Sequence, residues 1–136
     1  MSKATAIRWG WLKFMYLYTV VGAGGFGLGM IFLPDTMISL FRWPRQEPVV
    51  FGINASVYVA FALVSVLGLR SPLKFVPVAL LQLCDKSIWL VGVVVPLLVR
   101  GQLPMSSTLP IVMFSTYIVG DLIAIPFSYV FAKDPA

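Results

Sequence analysis

The chain has 136 residues, 60% of them hydrophobic and 11% charged, against roughly 45–50% apolar residues in an average soluble domain. A mean hydropathy of +0.95 places it in the membrane class, as a single transmembrane domain over 1–136 with no separate soluble module. Its net charge of +5 comes from basic residues spread along the chain, which argues against nucleic acid as a partner and for charges that set topology in a lipid bilayer.

What is missing narrows the chemistry further. There is no histidine, hence no imidazole ligand for haem, zinc or copper and no imidazole base. The single cysteine, Cys84, allows no intrachain disulfide and, inside an apolar segment, is expected to be a small buried hydrophobe. No P-loop or G-x-S-x-G motif is present. The sequence therefore names no catalytic residue, cofactor-binding residue, metal ligand or cofactor, and an enzyme ranks last among the readings below.

The first span, about 14–33, reads "FMYLYTVVGAGGFGLGMIFL" without a charge, long enough for a hydrocarbon core that needs ~20 apolar residues. Gly22, Gly24 and Gly27 have the spacing G-x-G-x-x-G, a dinucleotide fingerprint only between a strand and a helix. Here Pro34 and "RWPR" follow, and no strand–helix crossover is possible. Gly25 and Gly29 make a G-x-x-x-G with Gly22 a turn earlier, so Gly22, Gly25 and Gly29 are expected to form a groove for helix packing. Lys3, Arg8 and Lys13 precede the span like the basic start of a signal peptide, but the apolar run exceeds an h-region and is expected to remain as an anchor.

The connection "PDTMISLFRWPRQEP" predicts a short interfacial helix between spans 1 and 2, started by Pro34 and Asp35 with aromatic residues at headgroup level. Three further spans follow at about 49–69, 73–99 and 109–131. Short connections make sequential helices antiparallel neighbours, and the expected fold is an all-α, integral membrane four-helix bundle. The basic residues Lys3, Arg8, Lys13, Arg70, Lys74 and Lys133 fall on one side and Arg42, Arg45 and Arg100 on the other. Both termini are therefore expected in the cytoplasm.

Charges inside the third and fourth spans carry most of the information. "LLQLCDKSIWL" holds Asp85 and Lys86, and "YIVGDLIAIP" holds Asp121; each costs ~2.5–3.5 kcal/mol at a bilayer centre and is expected to avoid lipid. Lys86 lies 18 residues before Pro104 and Asp121 17 after it, within ~1.5 Å of one level on antiparallel helices. An interhelical Lys86–Asp121 pair is predicted, with Asp85 left to find another partner. Helical spacing groups Gln82, Asp85, Trp89 and Gly92 on the third span, Asn54, Tyr58, Phe61 and Ser65 on the second, and Tyr117, Asp121, Ala124 and Ser128 on the fourth, as faces that turn inward together. The candidate intramembrane polar or ligand site is Asn54, Tyr58, Gln82, Asp85, Lys86, Trp89, Tyr117 and Asp121.

The glycine-rich first span, "LPDTMISLFRWP", "FGINASVY", "DKSIW" and "GDLIAIPF" together make the chain resemble the small four-helix DoxX-like membrane proteins of bacteria over roughly 12–131. The resemblance implies a membrane protein of largely unknown function; the family takes its name from a membrane subunit associated with thiosulfate:quinone oxidoreduction, and some relatives look like partners of redox-defence proteins. With no histidine and no second cysteine, it carries no redox centre over to this chain. Three readings follow. The first is a non-enzymatic accessory subunit docking a membrane-protein partner or a second copy. The second is a small proton-coupled transporter or channel using Asp85, Lys86 and Asp121. The third is a binder of a quinone- or lipid-like hydrophobic small molecule in an intramembrane pocket.

Overall fold

The computed structural model describes residues 6–135; Lys3 lies outside them. Four helices are long and apolar enough to cross a membrane: Trp9–Phe32, Pro48–Arg70, Val76–Val99 and Met105–Ala124. They form an all-α four-helix bundle, and the chain is a multi-pass membrane protein. The short helix Pro34–Phe41 joins the first two spans, its proline at the first helical position, where a missing N–H costs nothing, and Asp35 in the first turn beside the positive end of the helix dipole.

Local chemistry explains where the helices end. The second span starts at Glu47, whose carboxylate accepts the amides of Val49 and Val50 at 3.0 and 2.8 Å; those hydrogen bonds hold its pKa below the ordinary glutamate value. After the third span Gly101 takes a left-handed φ of 66°. Its amide and that of Gln102 then bond back to the Leu98 and Leu97 carbonyls, closing a Schellman turn. Arg42 makes the same kind of turn at φ 56° and sends Trp43 back toward the bundle. The fourth span was expected to run to about 131. It stops at Ala124 because Pro126 holds Ile125 in an extended conformation (ψ 124°), and a separate turn of helix, Phe127–Val130, follows. Arg8 Nη1 donates to the Ile123 carbonyl at 2.9 Å, satisfying one of the carbonyls left open there.

The third span crosses as one 24-residue element but contains a π-helical turn, Leu90–Val94. Pro96 has no N–H to give the carbonyl four residues back, and its ring would press on that carbonyl. The wider turn, in which the Val95 amide reaches the Leu90 carbonyl, accommodates both problems without ending the helix.

The bundle is a ring in sequence order. Spans 1 and 2 pack most extensively, spans 3 with 4 and 1 with 4 less so, and spans 2 and 3 make the loosest seam. The interior is largely apolar, with Leu12, Met15, Tyr16 and Val76 at its centre, but it also encloses Thr19, Ser65, Gln82, Lys86 and Asp121, whereas Leu17, Val21, Leu63, Val66, Ile88, Val91 and Val119 face outward, as lipid-facing surfaces require.

Two of the expected packing glycines do pack, though not against the second span. Gly22 lies under the Tyr117 hydroxyl and Gly29 under Met37 of the short helix. Gly25 faces outward with nothing within 4 Å of a Cβ built on it. The close approach of spans 1 and 2 rests instead on Gly24, where an added methyl group would lie 3.1 Å from the Ala62 methyl, and on Gly27, where one would lie 2.8 Å from the Ala55 carbonyl oxygen and 2.8 Å from Val59. Gly27→Ala must push the two helices apart and should lower stability by ~1–3 kcal/mol, whereas Gly25→Ala should be neutral or slightly stabilising. Thermal unfolding of the two variants in the same detergent checks this ordering.

Candidate functional site

Each span contributes a polar side chain to the buried interior. Thr19 of the first span donates to the Met15 carbonyl at 2.8 Å and lies 3.1 Å from Gln82 Oε1 on the third. Lys86, one turn on from Gln82, is 1% exposed; Asp121 of the fourth span is fully buried, and Ser65 of the second is 1% exposed. Among the described residues, no protein group hydrogen-bonds Gln82 Nε2, Lys86 Nζ or either carboxylate oxygen of Asp121.

The Lys86–Asp121 pair expected from depth is not formed as a direct contact. The two groups are electrostatic neighbours, but the carboxylate within 4.0 Å of Lys86 Nζ is that of Asp85, at 3.9 Å. The ammonium turns instead into an aromatic enclosure, 4.7 Å from the Tyr117 ring centre, 4.8 Å from Phe114 and 5.6 Å from Phe61. Three ring faces offer a cation π-electron density where lipid would offer nothing. The fourth-span aromatics are held in place by neighbours. Tyr117 stacks on Tyr18 with ring centres 4.3 Å apart and donates to the Tyr18 carbonyl at 3.2 Å.

Beyond Lys86, toward the connections between spans 1 and 2 and between spans 3 and 4, lies a cavity of about 370 Å³. Asp85, Lys86 and Tyr117 lie at its inner end, and Trp43, Gln46, Ser106 and Ser107 rim it at the connections. Its wall is a chain of aromatic contacts: Trp43 against Phe26 (5.8 Å), Phe26 against Tyr58 (5.1 Å), Tyr58 against Phe114 (6.4 Å) and Phe114 against Trp89 (5.0 Å). Such a site combines apolar walls with a few polar groups at one end.

Of the eight residues singled out from the sequence, six line this cavity: Asn54, Tyr58, Asp85, Lys86, Trp89 and Tyr117. Gln82 and Asp121 lie in the polar core and not among the lining residues. The expected third-span face, Gln82, Asp85, Trp89 and Gly92, divides: Gln82 is buried, Asp85 and Trp89 line the cavity, and Gly92 faces outward, while Lys86, from the neighbouring face, is buried. Ser128 falls beyond the end of the fourth span and is exposed, as is Cys84, which was expected to be buried. Phe26, Trp43 and Phe114 were not anticipated; the spacing of Phe114 three residues before Tyr117 was the available signal. Among the described residues no three His, Cys, Asp or Glu side chains gather to hold a metal. Compared with known proteins, the chain matches no family model, no curated protein and no solved structure.

Replacing Lys86 by Met or Asp121 by Leu singly leaves the other charge enclosed without its electrostatic neighbour, and each change should lower the unfolding midpoint in detergent. The double variant should lose less than the sum of the two by ~0.5–3 kcal/mol. Strict additivity would show that the two charges are not coupled.

Proposed function

We infer that this multi-pass membrane protein binds an amphipathic small molecule, quinone- or lipid-like in its apolar body, within the intramembrane cavity. The observation that carries this reading is the cavity itself: about 370 Å³, walled by aromatic rings and ending at Asp85 and Lys86, within the ~300–1,000 Å³ range of small-molecule sites. A polar core needed only to fix helix register would be closed, and here Asp85 opens onto a space that the side chains leave unfilled.

In this reading the chain is a DoxX-like protein of a bacterial inner membrane with both termini in the cytoplasm. Arg8, Lys13, Arg70, Lys74 and Lys133 on the terminal side, against Arg42, Arg45 and Arg100 on the other, support that orientation. The cavity mouth, formed by Trp43, Gln46, Ser106 and Ser107, then faces the outer leaflet. Ligand enters from that side.

Native purification followed by mass spectrometry should recover a stoichiometric small hydrophobic molecule with the wild-type chain. Asn54 lines the cavity and is exposed in it, so Asn54→Trp fills the space without disturbing the buried core and should abolish recovery while leaving helix content unchanged. A stable partner chain in place of a small molecule would favour an accessory subunit.

A further inference from the structure

We propose that the cavity selects an organic cation, an ammonium or phosphonium on an apolar body, whose charge lies beside Asp85 and whose body rests on the aromatic wall. The proposal deepens the ligand-binding reading above and rests on it. Two charged residues line the cavity, and they differ in what an incoming molecule can reach. The Asp85 side chain is 47% exposed and that of Lys86 1%. The Lys86 ammonium is turned into the rings of Phe61, Phe114 and Tyr117, so the charge a ligand meets is the carboxylate.

That carboxylate is incompletely matched. Its contact with Lys86 is 3.9 Å, beyond a hydrogen bond. The charge an incoming molecule reaches first is this carboxylate: a cation is drawn to it, an anion is repelled, and a neutral quinone gains nothing from its charge. The attraction matters most where water is scarce, because it grows as the effective dielectric falls.

The walls favour the same sign of charge. Tyr58 is an electrostatic neighbour of Asp85, and Trp89, Phe114 and Tyr58 are in ring contact with one another in sequence, at 5.0 and 6.4 Å. Aromatic faces around a carboxylate bind a diffuse cation through ring quadrupole and charge together. The chain already makes this arrangement once, around its own Lys86. The cavity offers a second set of rings, Trp89, Tyr58, Phe26 and Trp43, over which no cation of the described residues lies.

The test is equilibrium dialysis of the full chain in neutral nanodiscs with three radiolabelled probes: tetraphenylphosphonium, neutral triphenylphosphine oxide and anionic tetraphenylborate. Saturable one-to-one binding of the phosphonium is expected, with no saturable binding of the borate. Asp85→Asn, nearly isosteric and at an exposed position, should weaken the phosphonium roughly tenfold or more. Trp89→Leu should weaken it as well. If the neutral oxide binds as well as the phosphonium and Asp85→Asn changes neither, the cation proposal is overturned while the ligand site stands. If none of the three probes binds saturably, both readings fall.

Discussion

A lysine ten residues into a membrane-spanning helix has to be enclosed by protein, and the enclosure of Lys86 decides how the rest of the bundle is arranged. An ammonium facing lipid at that depth costs ~2.5–3.5 kcal/mol on insertion scales. The chain meets this cost with aromatic faces from two other spans, Phe61 on the second and Phe114 and Tyr117 on the fourth, so three of the four helices turn toward one atom. The first span is drawn in through Tyr18, which stacks on Tyr117, and through Thr19, which meets Gln82 a turn below Lys86.

Rings around a cation hold helices farther apart than glycines do. Spans 1 and 2 close on Gly24 and Gly27. Spans 2 and 3, separated by the bulk of Phe61 and Phe114 around Lys86, make the loosest seam of the ring. The cavity lies above that level, and the turn at Arg42 brings Trp43 back over its mouth. Enclosing Lys86 thus creates the space in which Asp85, one residue earlier and about 100° round the helix, is left accessible.

Much of this was legible in the sequence and some was not. Four long apolar runs announce four spans, and "PDTMISLF" announces the short helix, because length and turn chemistry are local properties. Counting along two helices of fixed rise puts Lys86 and Asp121 at one depth, whereas the fourth-span rings that Lys86 meets, Phe114 and Tyr117, lie two turns and one turn before Asp121. Rotation did not follow: apolar residues lie all round the third span, and no periodicity says whether Asp85 or Lys86 turns inward. The answer came from the partner helices, whose phenylalanines look the same in a sequence whether they face lipid or a cation. The glycine run failed for a related reason. Glycines spaced one, two and three apart lie on several faces, and only the neighbour that approaches distinguishes Gly27 from Gly25. The end of the fourth span was marked by Pro126, but apolar residues beyond it disguised the break.

The central claim is that the bundle is closed at the level of Lys86 and open above it on one side. Single cysteines introduced in a Cys84→Ser background at Asn54, Ser107, Thr19 and Ser65, treated in intact membranes with an impermeant thiol reagent, test it directly. Asn54→Cys and Ser107→Cys should label from the side of the connection between spans 1 and 2, and Thr19→Cys and Ser65→Cys should stay unlabelled until the protein is unfolded. Labelling of Ser65→Cys in the folded protein, or protection of Asn54→Cys, would contradict the account.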